Sequence, residues 1–132
     1  MDVIEIEREF TEWLAENLGL EIDRQIFRGG VPAGKSGVGV IFDTEIKDKM
    51  FSPRQWNIQV LASFKNRDDA MRFVSKVTGL FPCYDLQGKS CKFRSVSLRG
   101  SGAAYRSPDD GMTKWFASIN LFAVVLTTGT QI

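Results

Sequence analysis

From Gln55 to Lys65 the chain alternates, with Trp56, Ile58, Val60, Ala62 and Phe64 on one side and Asn57, Gln59 and Ser63 on the other. A period of two is the pleat of a strand that gives one face to a core and the other to water or a partner. The rest of the chain must therefore supply something to cover the apolar side.

Two segments with helical spacing can do so. Val3, Ile6, Phe10, Trp13, Leu14 and Leu18 recur at steps of three and four and form one apolar stripe. Asp2 and Glu5 resemble a capping box, and Gly19 stands where a left-handed C-cap belongs. Glu5, Glu9, Glu12 and Glu16 are expected on the opposite, wet face. Asn66 opens a second helix as N-cap, with Asp68 and Asp69 against its positive end. Its stripe is Ala70, Phe73, Val74, Val77, Leu80 and Phe81, and Gly79 and Pro82 mark its end. Trp13, Phe73 and Trp56 are expected to share the helix-covered layer.

Further strands are read at Ile22 to Phe27, Val38 to Ile46, Ser90 to Leu98 and Met112 to Thr127. Pro53 closes a charged loop, and Gly100 to Gly111 is a second polar loop. The order is α-β-β-β-α-β-β. The fold class is α+β, a mostly antiparallel sheet of about five strands with two helices packed on one face. In the last strand, Phe116, Phe122, Val124 and Leu126 alternate with Trp115, Ile119, Leu121 and Val125. One of these apolar sets must lie away from the helices, and such a patch marks a partner surface.

Length and composition narrow the class. The 132 residues are read as one domain, 1–132, large enough for a core. With 43% hydrophobic and 25% charged residues the chain is that of an ordinary soluble globular protein. No apolar run suits a membrane span, and the acidic start is unlike a signal peptide, so synthesis in the cytoplasm is expected. There is no His, which removes the commonest general base and metal ligand. Cys83 and Cys91 make no zinc site by themselves and are expected to be reduced thiols, although a short disulfide between them is conceivable on spacing. No nucleophile elbow or carboxylate dyad stands out, so the chain is read as a non-enzyme with no cofactor and no metal.

One motif points elsewhere. Gly29 to Ser36 reads GGVPAGKS, matching the phosphate-binding pattern G-x-x-x-x-G-K-[ST] at every position. Val40-Ile41-Phe42-Asp43 even imitates an apolar strand ending in a magnesium-binding Asp. A phosphate-binding loop, however, runs at once into a helix whose positive end faces the anion. Here Gly37-Val38-Gly39-Val40-Ile41-Phe42 follows, a poor helical turn and a good strand. The segment is read as a glycine-rich connector, with a nucleotide-binding domain as the alternative.

Charge is unevenly spread. Up to Asp23 there are eight acidic residues and one basic, and from Arg24 onward sixteen basic and eight acidic. An acidic flank and a basic body could orient head-to-tail association.

Glu9 to Leu20 (EFTEWLAENLGL), Ile26 to Pro32 (IFRGGVP), Trp56 to Leu61 and the helix from Asp68 to Phe81 together resemble the tailed-bacteriophage minor capsid or tail terminator (tail completion) proteins. The likeness runs over nearly the whole chain, in order, spacing and length rather than in one motif. The resemblance implies a structural virion protein and no enzymatic activity. It implies a ring, typically of six subunits, that caps the tail tube and joins it to the head connector. Its partners would be copies of itself, the tail tube protein and the head–tail connector protein. It would be assembled in the host cytoplasm and reside at the head–tail junction of the virion. Neither a membrane nor a specific nucleic acid is implied, though the genome passes through the lumen of such a ring. A phage or host interaction module without a ring is a further alternative. Contact residues are expected in the loops: Lys47, Lys49, Met50 and Phe51, where an apolar pair sits in a charged loop, and Arg28, Tyr105 and Arg106.

Overall fold

Both segments with helical spacing are helices: α1 spans Val3–Leu18 and α2 spans Arg67–Thr78. The computed structural model describes residues 3–32, 34–46, 54–101, 104–106 and 114–127. Asp2, and with it the capping box, lies outside the described residues. At the other end of α1, Gly19 has a φ of 68° and the Leu20 N–H donates to the Ala15 carbonyl at 2.9 Å. That is the left-handed C-cap expected of it. Asn66 caps α2, its Oδ1 accepting from the Asp69 N–H at 2.9 Å.

Among the described residues seven strands form one sheet: β1 (Ile26–Arg28), β2 (Gly37–Ile46), β3 (Arg54–Phe64), β4 (Cys83–Gln87), β5 (Cys91–Ser101), β6 (Tyr105–Arg106) and β7 (Trp115–Thr127). Their spatial order is β1-β2-β3-β7-β5-β4, with β6 paired to β7, and every pair but β1 with β2 is antiparallel. The α+β class and the mostly antiparallel sheet are as expected. The count of about five strands and the order α-β-β-β-α-β-β are corrected: the described residues hold seven strands, with β4 and β6 added. Both escape the period-two test for a physical reason. β4 is an edge strand that buries only Leu86 and is interrupted by Asp85 at a φ of 55°. β6 has two residues, too few for any period.

β1 is shorter than expected, because the Gln25 and Ile26 N–H groups turn back onto the Glu21 carbonyl at 2.8 and 3.2 Å. It runs parallel to β2, with Ile26 opposite Val38. Parallel neighbours ordinarily need a crossover of a dozen or more residues. A strand of three residues requires a return of only about 10 Å, and the glycine-rich loop makes it. Gly29, Gly30, Gly34 and Gly37 take φ values of 81°, 132°, 81° and 149°, which L side chains rarely adopt. Gly39 lets the loop lie against β2, since a Cβ there would come within 3.0 Å of Gly30 Cα.

Both helices pack on one face. α1 lies over β1 and β2, α2 over β7, β3 and β5, and the Lys76 ammonium on α2 donates to the Leu18 carbonyl at 3.1 Å. Under them Val38 and Val40, then Ile58, Val60 and Ala62, then Ile119, Leu121, Ala123 and Val125 are buried. Phe10 is fully buried at the centre, its ring 5.5 Å from Phe93 and 5.9 Å from both Trp13 and Phe42. Trp56 and Phe73 belong to the same cluster with Trp13 packed against it, as expected.

Candidate interaction surface

The register between β3 and β7 decides what the other sheet face carries. Asn57 pairs with Phe122, Gln59 with Asn120, Leu61 with Ser118 and Ser63 with Phe116. These residues point away from the core, so Phe116, Phe122, Val124 and Leu126 are the set left uncovered by the helices. Leu126 is exposed and the other three are half-buried. The middle of this face is polar: Gln59 Nε2 donates to Ser118 Oγ at 3.0 Å, and a shallow cleft of about 200 Å³ is lined by Asp43, Asn57, Gln59, Arg99 and Asn120. Apolar ground lies on either side. At one end the Arg99 guanidinium sits 4.4 Å over the Phe122 ring, and at the other Tyr105 stacks on Phe116 with centroids 5.9 Å apart.

The expected contact residues are scattered around this frame. Arg28 is exposed at the end of β1, and its charge draws down the Glu7 carboxyl, which burial raises more strongly. Tyr105 and Arg106, read as loop residues, belong to β6: Tyr105 faces the open side while the Arg106 guanidinium covers the Trp115 ring at 4.5 Å. Lys47, Lys49, Met50 and Phe51 lie outside the described residues. The strands flanking them are clasped where that connection begins and ends. There the Arg54 Nε and Nη2 donate to the two Glu45 oxygens at 2.7 and 3.0 Å, a bidentate pair three-quarters or more buried.

One acidic residue is not where the helical wheel placed it. Glu9, expected on the wet face of α1, is 6% exposed. Its carboxylate accepts from the Ser90 N–H at 3.0 Å, the Ser90 hydroxyl and the Cys91 N–H at 3.4 Å. Burial pushes its carboxyl up, but these donors outweigh burial and hold it below the usual range. Gly88 is part of the arrangement, because a Cβ at that position would collide with the Glu9 carboxylate. A period of 3.6 cannot report a partner 81 residues away, which is why this residue was missed.

The described residues offer little for chemistry. Burial first, then the Glu9 charge, pushes the Cys91 thiol up to about 12, so no nucleophilic thiolate forms at neutral pH. Both cysteines are free. Cys83 pairs with Val96, five residues along β5 from Cys91, a separation of roughly 15 Å where a disulfide needs Cα atoms within about 7 Å. No group of three or more His, Cys, Asp or Glu could hold a metal ion among the described residues. No helix among them is long and apolar enough to cross a membrane.

The glycine-rich loop runs from Ser36 directly into β2, with no helix to point at an anion. Asp43 lies seven residues along that strand from Ser36, roughly 20 Å away, too far to share a magnesium ion with it. Lys35 is exposed, its ammonium 5.9 Å from the Phe27 ring. Lys35→Ala should therefore change stability by no more than about 0.5 kcal/mol, as a urea titration of both proteins would read.

Compared with known proteins, the chain matches no family model and no curated protein.

Proposed function

We propose that this chain is a structural subunit that associates with copies of itself into a ring and caps a phage tail tube at its junction with the head. The observation that carries the reading is the open sheet face. Among the described residues no helix covers the face that carries the half-buried Phe116, Phe122 and Val124 and the exposed Leu126, and apolar ground of this kind marks a site of association. The sheet edges fit the same role. β1 and β4 are short, and β4 is interrupted at Asp85, so neither invites uncontrolled strand pairing. The resemblance in order and spacing to tail terminator proteins supplies the particular assembly.

Mass in solution tests the reading, by light scattering across protein concentration with and without purified tails. Oligomers are expected at high concentration or on tail tubes. They should assemble faster at low salt, because exposed charges steer encounter and are screened over about 8 Å at physiological ionic strength. A strict monomer at every concentration that also ignores tails would sink the ring. Magnesium-dependent binding of a fluorescent ATP or GTP analogue, lost in Lys35→Ala, would instead promote the nucleotide reading of the 29–36 loop.

A further inference from the structure

The glycine-rich loop has a feature that its turn-back does not require. Lying on β2, it walls a cleft of about 260 Å³ on the open face, with Ile41, Leu61 and Phe116 on its floor and Lys35, Ser63 and Lys114 as its polar side chains. Among the described residues no carboxylate lines it. The register sorts these groups along the strands. Gly37, Ser63 and Phe116 stand side by side across β2, β3 and β7. Lys35 lies two residues before Gly37 and Lys114 two before Phe116, which puts both lysines at the Ser63 end. Leu61 is two residues inward from Ser63 and Ile41 four from Gly37, roughly 7 and 13 Å along the strands. The cleft therefore has a cationic end and an apolar end.

The cationic end has donors to spare. The Lys114 ammonium donates to the Lys35 carbonyl at 3.2 Å, which holds the two lysines together and leaves further N–H donors on each. Neither is in an ion pair with any described residue. Ser63 is 6% exposed, and its hydroxyl has no hydrogen-bond partner among the described residues. A buried hydroxyl ordinarily finds one, and its pairing with Phe116 turns this one toward the open face.

We propose that this cleft binds a small aliphatic carboxylate. Its chain lies on Phe116, Leu61 and Ile41, and its carboxylate accepts from the Lys35 and Lys114 ammonium groups and the Ser63 hydroxyl. An apolar lining with a few placed polar groups is the usual make-up of a small-molecule site, and the volume, below the roughly 300–1,000 Å³ of pockets for drug-sized ligands, selects a small one. A nucleotide is not that ligand, because no helix N-terminus and no Arg fork lines the cleft to hold its phosphates. The site does not depend on the ring reading, although Phe116 is common to both surfaces.

Octanoate is the probe, titrated calorimetrically into the 132-residue chain at a concentration where light scattering shows a single species. Saturable binding at one site is expected. It should be at least about tenfold tighter than that of octanol, which lacks the charge, or of acetate, which lacks the chain. Ser63→Ala should weaken octanoate binding about tenfold, the usual effect of losing a hydrogen bond to a charged group. Lys35→Ala with Lys114→Ala should weaken it at least as much, and melting curves followed by circular dichroism check that the variants are folded. No saturable binding, octanol or acetate bound as tightly as octanoate, or affinity unchanged in both variants would overturn the site. Magnesium-ATP that displaces octanoate and binds more tightly would also overturn it, in favour of the nucleotide reading. The ring stands or falls separately, on the mass measurement.

Discussion

Phe10→Ala should lower the stability of the protein by about 3–5 kcal/mol, the usual cost of removing a buried aromatic ring together with the cavity it leaves. Phe10 has no exposed surface and is ringed by Trp13, Phe42 and Phe93 at 5.5–5.9 Å. These neighbours come from α1 itself, β2 and β5, so no single element can shift to close the gap. For a chain of this size the loss corresponds to a fall in Tm on the order of 10 °C or more. Thermal unfolding of wild type and variant would read it, and a Tm within about 2 °C of wild type would mean that α1 does not seat on the sheet through Phe10.

Glu9→Ala should cost about 1–3 kcal/mol, since it removes the acceptor of the partly buried Ser90 N–H and the buried Cys91 N–H. Glu9→Gln tests the charge apart from the volume, and its effect should depend on pH. The carboxyl is held below its ordinary value in the folded protein, so the unfolded chain binds its proton at higher pH. The stabilisation is therefore fully present above an unfolded pKa of about 4.3 and is lost as pH falls through the folded value. Glu7, raised by burial, acts in the opposite sense, but it is common to both proteins and cancels in the comparison. Urea titrations at descending pH should show wild type and Glu9→Gln converging below about pH 4. A gap that stays constant down to the acid limit would show that the Glu9 charge contributes nothing.

These two residues also divide what could be read in advance from what could not. Phe10 sits in a stripe with Ile6, Leu14 and Leu18, and burial of such a stripe follows from helix geometry whatever the fold around it. The same holds for α2 with its Asn66 cap, and for the inward row Trp56, Ile58, Val60 and Ala62 of β3. The strand after Ser36 was likewise legible locally, because the residues that follow favour a strand and form one. All of this is encoded within a few residues of where it acts.

The remainder depended on pairings distant in sequence. Both faces of β7 are apolar, so only its register against β3, which sets Val60 opposite Ile119 and Asn57 opposite Phe122, chose which face the helices would cover. The parallel pairing of β1 with β2 needed a strand short enough for the 29–36 loop to span, and Gln25 and Ile26 turning back on Glu21 made it so. Glu9 looked like any solvated carboxylate until β5 brought the Ser90 and Cys91 N–H groups to it. β4 and β6 exist because β5 and β7 offer them free edges, not because their own residues alternate. The cleft beside Lys35 and Lys114 likewise unites residues 79 apart in the chain. Local periodicity determined the helices, the central strand and their buried rows, because backbone geometry alone sets those spacings. Register, edge pairing and the placement of single charges were left to the tertiary structure, because each is fixed by a partner that the local sequence does not contain.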